Sequence, residues 1–471
     1  MGLFLLSLHQ MRDVGRLLGE KFSLVLRSGF LRDVAKLSIG TITGRVIAVA
    51  VMPLLTRVYT PDDFALLAVY LGILNIIAVV ACLRLDIAIP LAPSDTDAVY
   101  LLTLSLLMAA AIASVVGVIT LAAPRAVADF LGKPAIAPHL WLLPLGIWMA
   151  GTYSAFQFWA TRFQRFTTIA RTRVTQAIAG TLTALGLGWV GVTPLGLLLG
   201  SMLSVSAGGT SLAFQTLTHD RKYLKEVSLR RLPQTLRTYR RYPVYSTIEA
   251  VANATGLQLP MILVSAYAGS EAGHLMIAMQ VLNAPMLLLG SSIAQAYTSR
   301  LHSELNANRL APFTLEILKR LAQVGVGPLL FIGIVGPTFF PIVFGREWVR
   351  AGQIAAMLVP WLALQFLASP VSMILHASGK QQWAMILQIT GLALRTGAVW
   401  LTAVFANQLI TPAFAAASAL FYALYLAVIL RTGAISSRTF VNIIPHVLIF
   451  ALPWVLLAVV ADRILMLFSL P

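Results

Sequence analysis

Long apolar segments joined by short polar connections recur along almost the whole chain. Each segment has about twenty residues, the length that an α-helix needs to cross the hydrocarbon core of a bilayer. The segments show little of the period-two alternation that marks the strands of a membrane β-barrel. We therefore predict an all-α polytopic membrane protein. The thirteen predicted spans are 37–56, 65–85, 98–122, 138–160, 174–191, 194–215, 244–267, 274–297, 318–344, 354–376, 383–405, 411–430 and 444–468.

Composition and the placement of charge agree with this prediction. Hydrophobic residues make up 58% of the 471 residues and charged residues only 11%, against roughly 25% charged in a typical soluble domain. The net charge is +17, and of the 34 lysines and arginines 26 fall in alternate loops, 5 in the opposite loops and 3 in or near spans. Because basic loops stay in the cytoplasm, we predict a cytoplasmic N-terminus, and the charge requires no nucleic-acid partner.

The spans divide into two groups of six. The longest loop, 216–243, is basic, and it separates an N-terminal lobe, 37–215, from a C-terminal lobe, 244–430. Ahead of the first lobe, residues 1–36 have the pattern of a basic amphipathic segment on the cytoplasmic leaflet. Residues 431–471 add a further hydrophobic segment, which Asp462 and Arg463 interrupt. This last segment spans fully, stops near Val460 or lies partly in the interface.

A weak internal repeat accompanies this division. An offset of 208 residues aligns Tyr59 with Tyr267, and each tyrosine follows the end of a span and precedes a short turn with an acidic residue. An even number of spans separates the two copies, so they have the same orientation. We predict two six-helix bundles around a central cavity, with 12 core transmembrane helices plus one or two C-terminal hydrophobic segments.

The first hairpin, 40–64, carries an arginine inside its apolar span. Arg45 lies one helical turn from Thr41, and an arginine near the bilayer centre costs roughly 2.5–3.5 kcal/mol on insertion scales. We expect Arg45 to face a wet cavity, to pair with another helix or to snorkel to the cytoplasmic face. Thr60 is expected to cap the next helix, with Pro61 at its first position. The hairpin indicates a membrane protein that handles an anionic group.

Two other spans carry polar side chains at helical spacing. Arg395 lies mid-span on one face with Gln388, and a guanidinium engages phosphate through paired donors. Glu249 and Asn253 lie one turn apart in the seventh span. Glu249 either takes a proton or a sodium ion, as a coupling site, or neutralises an intramembrane arginine.

Two further pairs complete the candidates. Gln280 and Asn283 in the eighth span either contact a substrate or join helices by hydrogen bonds. Arg84 and Asp86 close the second span, either as a local ion pair that anchors its cytoplasmic end or as part of a cytoplasmic entrance. The predicted substrate-cavity residues are Arg45, Arg395, Thr41, Gln388, Asn253, Gln280 and Asn283.

Signs of catalysis are absent from the sequence. It has no phosphate-binding glycine loop, no HExxH and no GxSxG, and its histidines lack ligand spacing. The single cysteine, Cys82, excludes intrachain disulfides. The loops are too short to fold a catalytic domain, so we expect no enzyme, no cofactor and no metal.

Three stretches resemble a known family. They are 53–64 (PLLTRVYTPDDF) with 83–98 (LRLDIAIPLAPSDTDA), then 160–180 (ATRFQRFTTIARTRVTQAIAG) with 196–200 (GLLLG), and finally 242–295. Together they resemble the polysaccharide-transport branch of the multidrug/oligosaccharidyl-lipid/polysaccharide exporter superfamily, the O-antigen and exopolysaccharide repeat-unit flippases.

The resemblance implies a bacterial inner-membrane transporter of polysaccharide and lipopolysaccharide biosynthesis. It implies that an undecaprenyl-diphosphate-linked oligosaccharide moves from the cytoplasmic to the periplasmic leaflet through a cationic cavity, by alternating access. Arg45 and Arg395 fit such a cavity in kind, whereas Glu249 stands where a small or hydroxylated residue is expected. Membrane lipid, a coupling proton or sodium ion and polysaccharide polymerase machinery are the further partners that it suggests.

Other functions remain open at this point. A drug and cation antiporter of the same superfamily would share the fold but favour acidic cavity residues, and a peptidoglycan-precursor flippase would use similar chemistry. An oligosaccharide polymerase or ligase belongs to a different class, and such an enzyme generally needs a larger periplasmic loop.

Overall fold

The computed structural model describes residues 29–221, 228–442 and 444–469, and in these ranges the chain is helical with no β-strand. The predicted amphipathic segment lies mostly outside the described residues. Thirteen long helices occur in the described ranges, one at each predicted span. In chain order they are α1 (Gly29–Val58), α2 (Pro61–Ala78), α3 (Asp95–Ala122), α4 (Leu142–Arg162), α5 (Phe166–Trp189), α6 (Leu195–Ser206), α7 (Thr247–Ala268), α8 (Glu271–Asn306), α9 (Leu310–Phe344), α10 (Val349–Ala368), α11 (Gln381–Phe405), α12 (Ile410–Thr432) and α13 (Ile444–Ser469).

Ten helical stretches in the described residues are long and apolar enough to cross a membrane. The other three long helices, α4, α5 and α8, have 21, 24 and 36 residues and a more polar composition. α4 packs along α3, α5 lies between α1 and α6, and α8 packs against α2 and α10. These three helices therefore belong to the same bundles as the apolar ones.

The turn between α1 and α2 forms as the sequence predicts. The Asp63 backbone N–H donates to Thr60 Oγ1 at 3.3 Å, and the Thr60 N–H donates to Asp63 Oδ2 at 2.9 Å. Pro61 is the first residue of α2. The Tyr59 hydroxyl donates to the Ala184 carbonyl at 2.7 Å, so the turn is tied to α5.

Glycines allow the N-terminal helices to approach closely. A Cβ on Gly40 would lie 2.7 Å from the Ala170 carbonyl oxygen on α5, and Gly44 faces α5 one turn later. Gly180 and Gly200 face each other where α5 crosses α6. Small residues at such crossings let backbones pack against each other in the absence of a hydrophobic driving force.

The C-terminal lobe is built from α7 to α12. α9 packs along α10 through Gly336 and Gly352, and the Phe366 ring fills the space beside Gly325. α12 packs against both α10 and α11, and α11 also contacts α7. Together with α1 to α6, these helices give two six-helix bundles, with α13 in addition.

α13 is a single helix of 26 residues that lies along α9. The Trp454 side chain covers Gly327, and Thr338 Oγ1 donates to Asp462 Oδ1 at 2.6 Å. Because Asp462 has this partner, the helix continues beyond Val460 instead of stopping there. Its 21 residues from Val447 to Leu467 are long enough to span.

A clamp closes the end of the N-terminal lobe just before the loop that joins the lobes. Asp220 is 4% exposed, and it accepts paired hydrogen bonds from the Arg165 guanidinium at 2.7 and 2.8 Å and one from Trp159 Nε1 at 2.9 Å. Burial alone would raise the pKa of Asp220, but the hydrogen bonds from Arg165 and Trp159 and the Arg165 charge lower that pKa below its usual value. The clamp thus fixes the start of the loop to the α4–α5 turn.

Candidate functional site

The two lobes meet at the end of α1 that carries the Thr60 turn. Trp348, which precedes α10, donates from Nε1 to the Thr56 carbonyl at 3.0 Å. Its ring meets Phe64 edge to face, with centroids 5.2 Å apart. Arg57 Nη2 donates to the Ile342 carbonyl at 3.3 Å. We call the contacts of Trp348 with Thr56 and Phe64 the Trp348 gate.

His274 supports this gate from the C-terminal lobe. The imidazole is 9% exposed, and its ring lies against Trp348 with centroids 5.5 Å apart. Nδ1 lies 3.0 Å from the Ser270 carbonyl oxygen and Nε2 lies 3.0 Å from the Glu347 carbonyl oxygen. The histidine therefore fixes the backbone on which Trp348 stands.

The same end of the C-terminal lobe is braced by one carboxylate. Arg350 Nε donates to Glu271 Oε1 at 2.6 Å, and Thr411 Oγ1 donates to Glu271 Oε2 at 2.9 Å. Glu271 thereby joins the start of α8 to α10 and α12. The brace keeps the C-terminal side of the gate rigid.

Contact between the lobes extends about halfway along α2. Ser265 on α7 donates to the Ala65 carbonyl at 3.2 Å, and a Cβ on Gly72 would lie 2.7 Å from the Ile262 side chain. Gln280 and Asn283 on α8 are half-buried at this level of the C-terminal lobe. The lobes are thus joined from the gate to the middle of the molecule.

Beyond this level, α1 and α7 expose polar side chains. Thr41 and Arg45 are exposed one turn apart on α1, and Glu249 and Asn253 are exposed one turn apart on α7. All four lie toward the ends of their helices away from the Trp348 gate. The sequence-predicted residues of these two helices are therefore exposed at the end opposite the Trp348 gate. We call this end of α1 and α7 the open end. In the described residues Glu249 forms no ion pair with either predicted arginine.

Arg395 lies elsewhere, inside the C-terminal lobe between α11 and α12. It is 6% exposed, and its guanidinium stacks on Phe421 at 4.6 Å and Tyr422 at 5.9 Å from the ring centroids. Its buried Nε has no hydrogen-bond partner, and within the described residues it joins no ion pair. Arg45 and Arg395 thus occupy two separate places.

A polar cavity of about 130 Å³ adjoins the rings under Arg395. Hydroxyl, amide and aromatic groups line it, and Tyr422 and Tyr425 hydrogen-bond to two of the serines. The lining residues are Ser369, Ser372, Gln388, Phe421, Tyr422 and Tyr425. The structure thus brings Gln388 and Arg395 to the same aromatic wall.

Arg173 lay outside the predicted span 174–191, but the structure places it within a helix, as it does the candidate arginines Arg45 and Arg395. Arg173 lies seven residues after the start of α5, because that helix begins at Phe166 and not near 174. Its Nη2 donates to Gln157 Oε1 at 2.9 Å, and its guanidinium lies over Tyr153 at 5.4 Å. The sequence signal that could have placed Arg173 in the helix is the polar run that follows it, because this run contains no turn-forming residue.

The predicted ion pair between Arg84 and Asp86 does not form. Leu83 and Arg84 both have positive φ, at 49° and 59°, and a 3₁₀ helix starts at Asp86. With this backbone the two side chains form no ion pair, although the Arg84 charge still acts on Asp86. Arg84 Nε and Asp86 Oδ1 are both buried without a hydrogen-bond partner. Asp86 instead accepts a hydrogen bond from Ser154 Oγ at 2.6 Å.

Comparison with known proteins identifies the family. The sequence profile described as polysaccharide biosynthesis protein matches residues 54–353. No curated protein is similar enough by sequence to be identified as a relative.

Solved structures show the same fold at low sequence identity. The lipid II flippase MurJ in its inward closed conformation matches with a TM-score of 0.73 and 13% identity, over 92% of this chain and 97% of that one. An inward-facing multidrug resistance MATE family transporter matches with a TM-score of 0.59 and 15% identity, over 84% and 95%. A transporter from Pyrococcus furiosus, described by the reverse polarity of its binding pocket, matches with a TM-score of 0.56 and 15% identity, over 87% and 97%.

The profile match covers more than half of the chain, and these neighbours share its architecture of two six-helix bundles. This chain therefore belongs to the polysaccharide biosynthesis protein family, and it shares its fold with the flippase MurJ and the MATE family transporter.

Proposed function

We propose that the protein moves an undecaprenyl-diphosphate-linked polysaccharide repeat unit, of O-antigen or exopolysaccharide, from the cytoplasmic to the periplasmic leaflet of a bacterial inner membrane. The asymmetry of the interface between the lobes carries this proposal. One end is closed by the Trp348 gate, and the other end presents exposed polar residues on α1 and α7. Alternating which end is closed would pass a bound headgroup across the bilayer.

The open end is assigned to the cytoplasm. The basic loops of the sequence lie on the side away from the Thr60 turn, and basic loops stay in the cytoplasm. The N-terminus is then cytoplasmic, and the Trp348 gate closes the periplasmic side. In this proposal the conformation described here stands at the start of the cycle, where it would load substrate from the inner leaflet.

The charges suit a diphosphate. Moving an unpaired charge into hydrocarbon carries a large desolvation cost, and Arg45 at the open end supplies a charge and paired donors in place of water. The lipid tail remains in the bilayer throughout. Outward movement of negative charge is also favoured by an inside-negative potential, by about 2.3 kcal/mol per charge per 100 mV.

The cavity beside Arg395 would act as a second contact in the C-terminal lobe. Its serine and amide groups match sugar hydroxyls, and aromatic faces offer a surface on which a sugar ring can pack. We assign the diphosphate to Arg45 at the open end and one sugar of the repeat unit to the Arg395 cavity. Asn253, Gln280 and Asn283 would line the path between them.

Substitution of Arg45 tests this assignment. In cells depleted of the chromosomal protein, Arg45→Ala should leave undecaprenyl-diphosphate oligosaccharide accumulating and polysaccharide reduced roughly tenfold or more, since a charged hydrogen bond contributes about 1.5–3 kcal/mol. Arg125→Ala is the matched control, because Arg125 is an exposed arginine outside the spans. Equal complementation by both variants would contradict the role of Arg45.

A further inference from the structure

The segment between α2 and α3 holds an acidic residue that the proposed path does not use. After α2 the backbone leaves the helix, passes through the left-handed conformations of Leu83 and Arg84, and enters the short 3₁₀ helix Asp86–Leu91. This helix packs against α3 and α4. The irregular backbone thereby carries Asp86 into the interior of the N-terminal lobe.

The surroundings of Asp86 do not suit a carboxylate. The side chain is 5% exposed. Oδ2 accepts one hydrogen bond from the neutral hydroxyl of Ser154 at 2.6 Å, and Oδ1 is buried without a partner. A buried charge is stable when it is paired and fully hydrogen-bonded. The Arg84 charge and the backbone N–H groups of Ile87 and Asp86 favour the carboxylate, but Oδ1 has no hydrogen-bond partner and Asp86 joins no ion pair in the described residues.

The charged and titratable groups around Asp86 leave it without a counterion. Arg84 is two residues away, but no ion pair forms between them in the described residues, and the Cys82 thiol donates to the Gly151 carbonyl at 3.3 Å. From α4, Arg162 is engaged with Asp95 of α3 at 2.9 Å and so serves another carboxylate. Burial raises the pKa of Asp86, and the Ser154 hydrogen bond, the Arg84 charge and the backbone N–H groups of Ile87 and Asp86 offset only part of that rise.

We propose that Asp86 is a proton-binding site of the N-terminal lobe, which binds a proton more readily in this conformation than an exposed aspartate does and releases it when the lobe rearranges. Release leaves a carboxylate on Asp86 and passes the proton to water, so it requires water or Arg84 to reach Oδ1. The chemical change is a single proton transfer with no further reactant.

α2 connects this site to the gate. The helix begins in the Thr60 turn, where Phe64 meets Trp348, and ends at the irregular segment that carries Asp86. Along its length it contacts both α7 and α8 of the other lobe. A change in the hydration or packing of Asp86 therefore acts on the element that joins the lobes.

Infrared spectroscopy of the purified, full-length protein tests proton binding without any substrate. A protonated carboxylic acid gives a carbonyl band that a carboxylate lacks. We expect the wild type to keep a component of this band to higher pH than exposed aspartates do, and Asp86→Asn to lack that component. The matched control Asp129→Asn should retain it, because Asp129 is exposed and outside the spans. A wild type whose band disappears at the pH of exposed aspartates, or a component lost in Asp129→Asn and kept in Asp86→Asn, would overturn the proposal.

Ser154→Ala provides a second variant that keeps the carboxyl group. Because it removes the hydrogen bond to Oδ2, the ionised form loses its direct donor, and the band should persist to higher pH than in the wild type. A shift to lower pH would contradict the assigned surroundings. This variant keeps the proposal testable if Asp86→Asn fails to fold.

The link to transport rests on the proposed function and is tested separately. With lipid-linked oligosaccharide in vesicles, Asp86→Asn should abolish the response of transport to an imposed pH gradient, while Asp129→Asn keeps it. If no variant transports this substrate, the proposed function fails while the infrared result stands. Transport by Asp86→Asn that still follows the gradient would overturn the coupling role.

Discussion

At the scale of single residues, we expect Arg395 to support transport while its buried charge lowers the stability of the fold. Its guanidinium is buried against Phe421 and Tyr422 without an ion pair in the described part of the chain. Arg395→Met removes the charge and retains a long flexible side chain. We expect this variant to unfold at the wild-type temperature or above, whereas transport falls roughly tenfold or more.

Thermal unfolding of the purified protein and vesicle transport measure the two effects. Arg395→Lys is a second variant, which keeps a charge but loses the planar group that stacks on the rings. Transport should fall in this variant as well. A loss of unfolding temperature that parallels the loss of transport would make Arg395 a structural residue.

Sequence spacing locates side chains along a helix but not the helix that they face. Spacing placed Arg395 and Gln388 on one face of α11. Their aromatic partners come from α12, and only the packing of the two helices decides that α12 lies against this face. The sequence also offered an ion pair between Arg84 and Asp86 as one of two alternatives, and the structure, with its left-handed backbone at Leu83 and Arg84, forms no such pair. Local patterns do not report such a backbone reversal.

At the scale of helices, the Asp220 clamp joins the helix Gly209–His219, which follows α6, to the α4–α5 turn. The pKa of Asp220 lies below that of an unfolded aspartate, about 3.9, so the clamp stabilises the fold above that value, and this contribution is lost as pH falls through the lower folded pKa. Asp220→Asn should cost roughly 1–3 kcal/mol at neutral pH, because it breaks the charged hydrogen bonds.

Thermal unfolding as a function of pH checks this prediction. The deficit of Asp220→Asn relative to the wild type should shrink in strong acid, where the wild-type carboxylate is itself protonated. Asp129→Asn is the control, since Asp129 is exposed and surface changes stay within about 0.5 kcal/mol. A deficit that is independent of pH would exclude an electrostatic clamp.

Helix positions followed from the length of the apolar runs, and the Thr60 cap followed from its local motif. Helix ends were harder to predict where helices continue beyond the apolar stretch. α8 and α9 extend past the predicted spans, and α5 starts eight residues early, which moves Arg173 from a loop into the lobe. Hydropathy reports the bilayer boundary, while the helix itself ends where its backbone finds other partners.

At the scale of the whole molecule, the Trp348 gate sets which side is closed. Trp348→Phe keeps an aromatic ring against Phe64 but removes the hydrogen bond to the Thr56 carbonyl. A neutral hydrogen bond contributes about 1 kcal/mol, so the population open at the gate end should rise roughly fivefold. Trp361→Phe is the matched control, because Trp361 is buried and its Nε1 has no partner.

Labelling with a membrane-impermeant thiol reagent reports this population. In a Cys82→Ala background, a cysteine at the half-buried Asn283 should become more accessible from the periplasmic side in Trp348→Phe than in Trp361→Phe. Equal labelling of the two would show that the Trp348 hydrogen bond does not hold the gate.

The two-lobe architecture was predictable because the spans divide evenly about one basic loop. The gate was not, since Trp348 lies 292 residues from Thr56 and no periodic pattern links positions in different bundles. For the same reason the sequence grouped Arg45 and Arg395 in one cationic cavity, whereas the structure places them in two separate positions.

The proposed movement of a lipid-linked oligosaccharide between leaflets can be measured directly. The measurement is the leaflet distribution of radiolabelled undecaprenyl-diphosphate oligosaccharide in inverted vesicles from depleted cells, with the wild type or Arg395→Ala restored. We expect accumulation in the cytoplasmic leaflet that the wild type relieves and Arg395→Ala does not. Normal translocation in the depleted vesicles, with unpolymerised units building up on the periplasmic side, would contradict it and point to a polymerase or ligase.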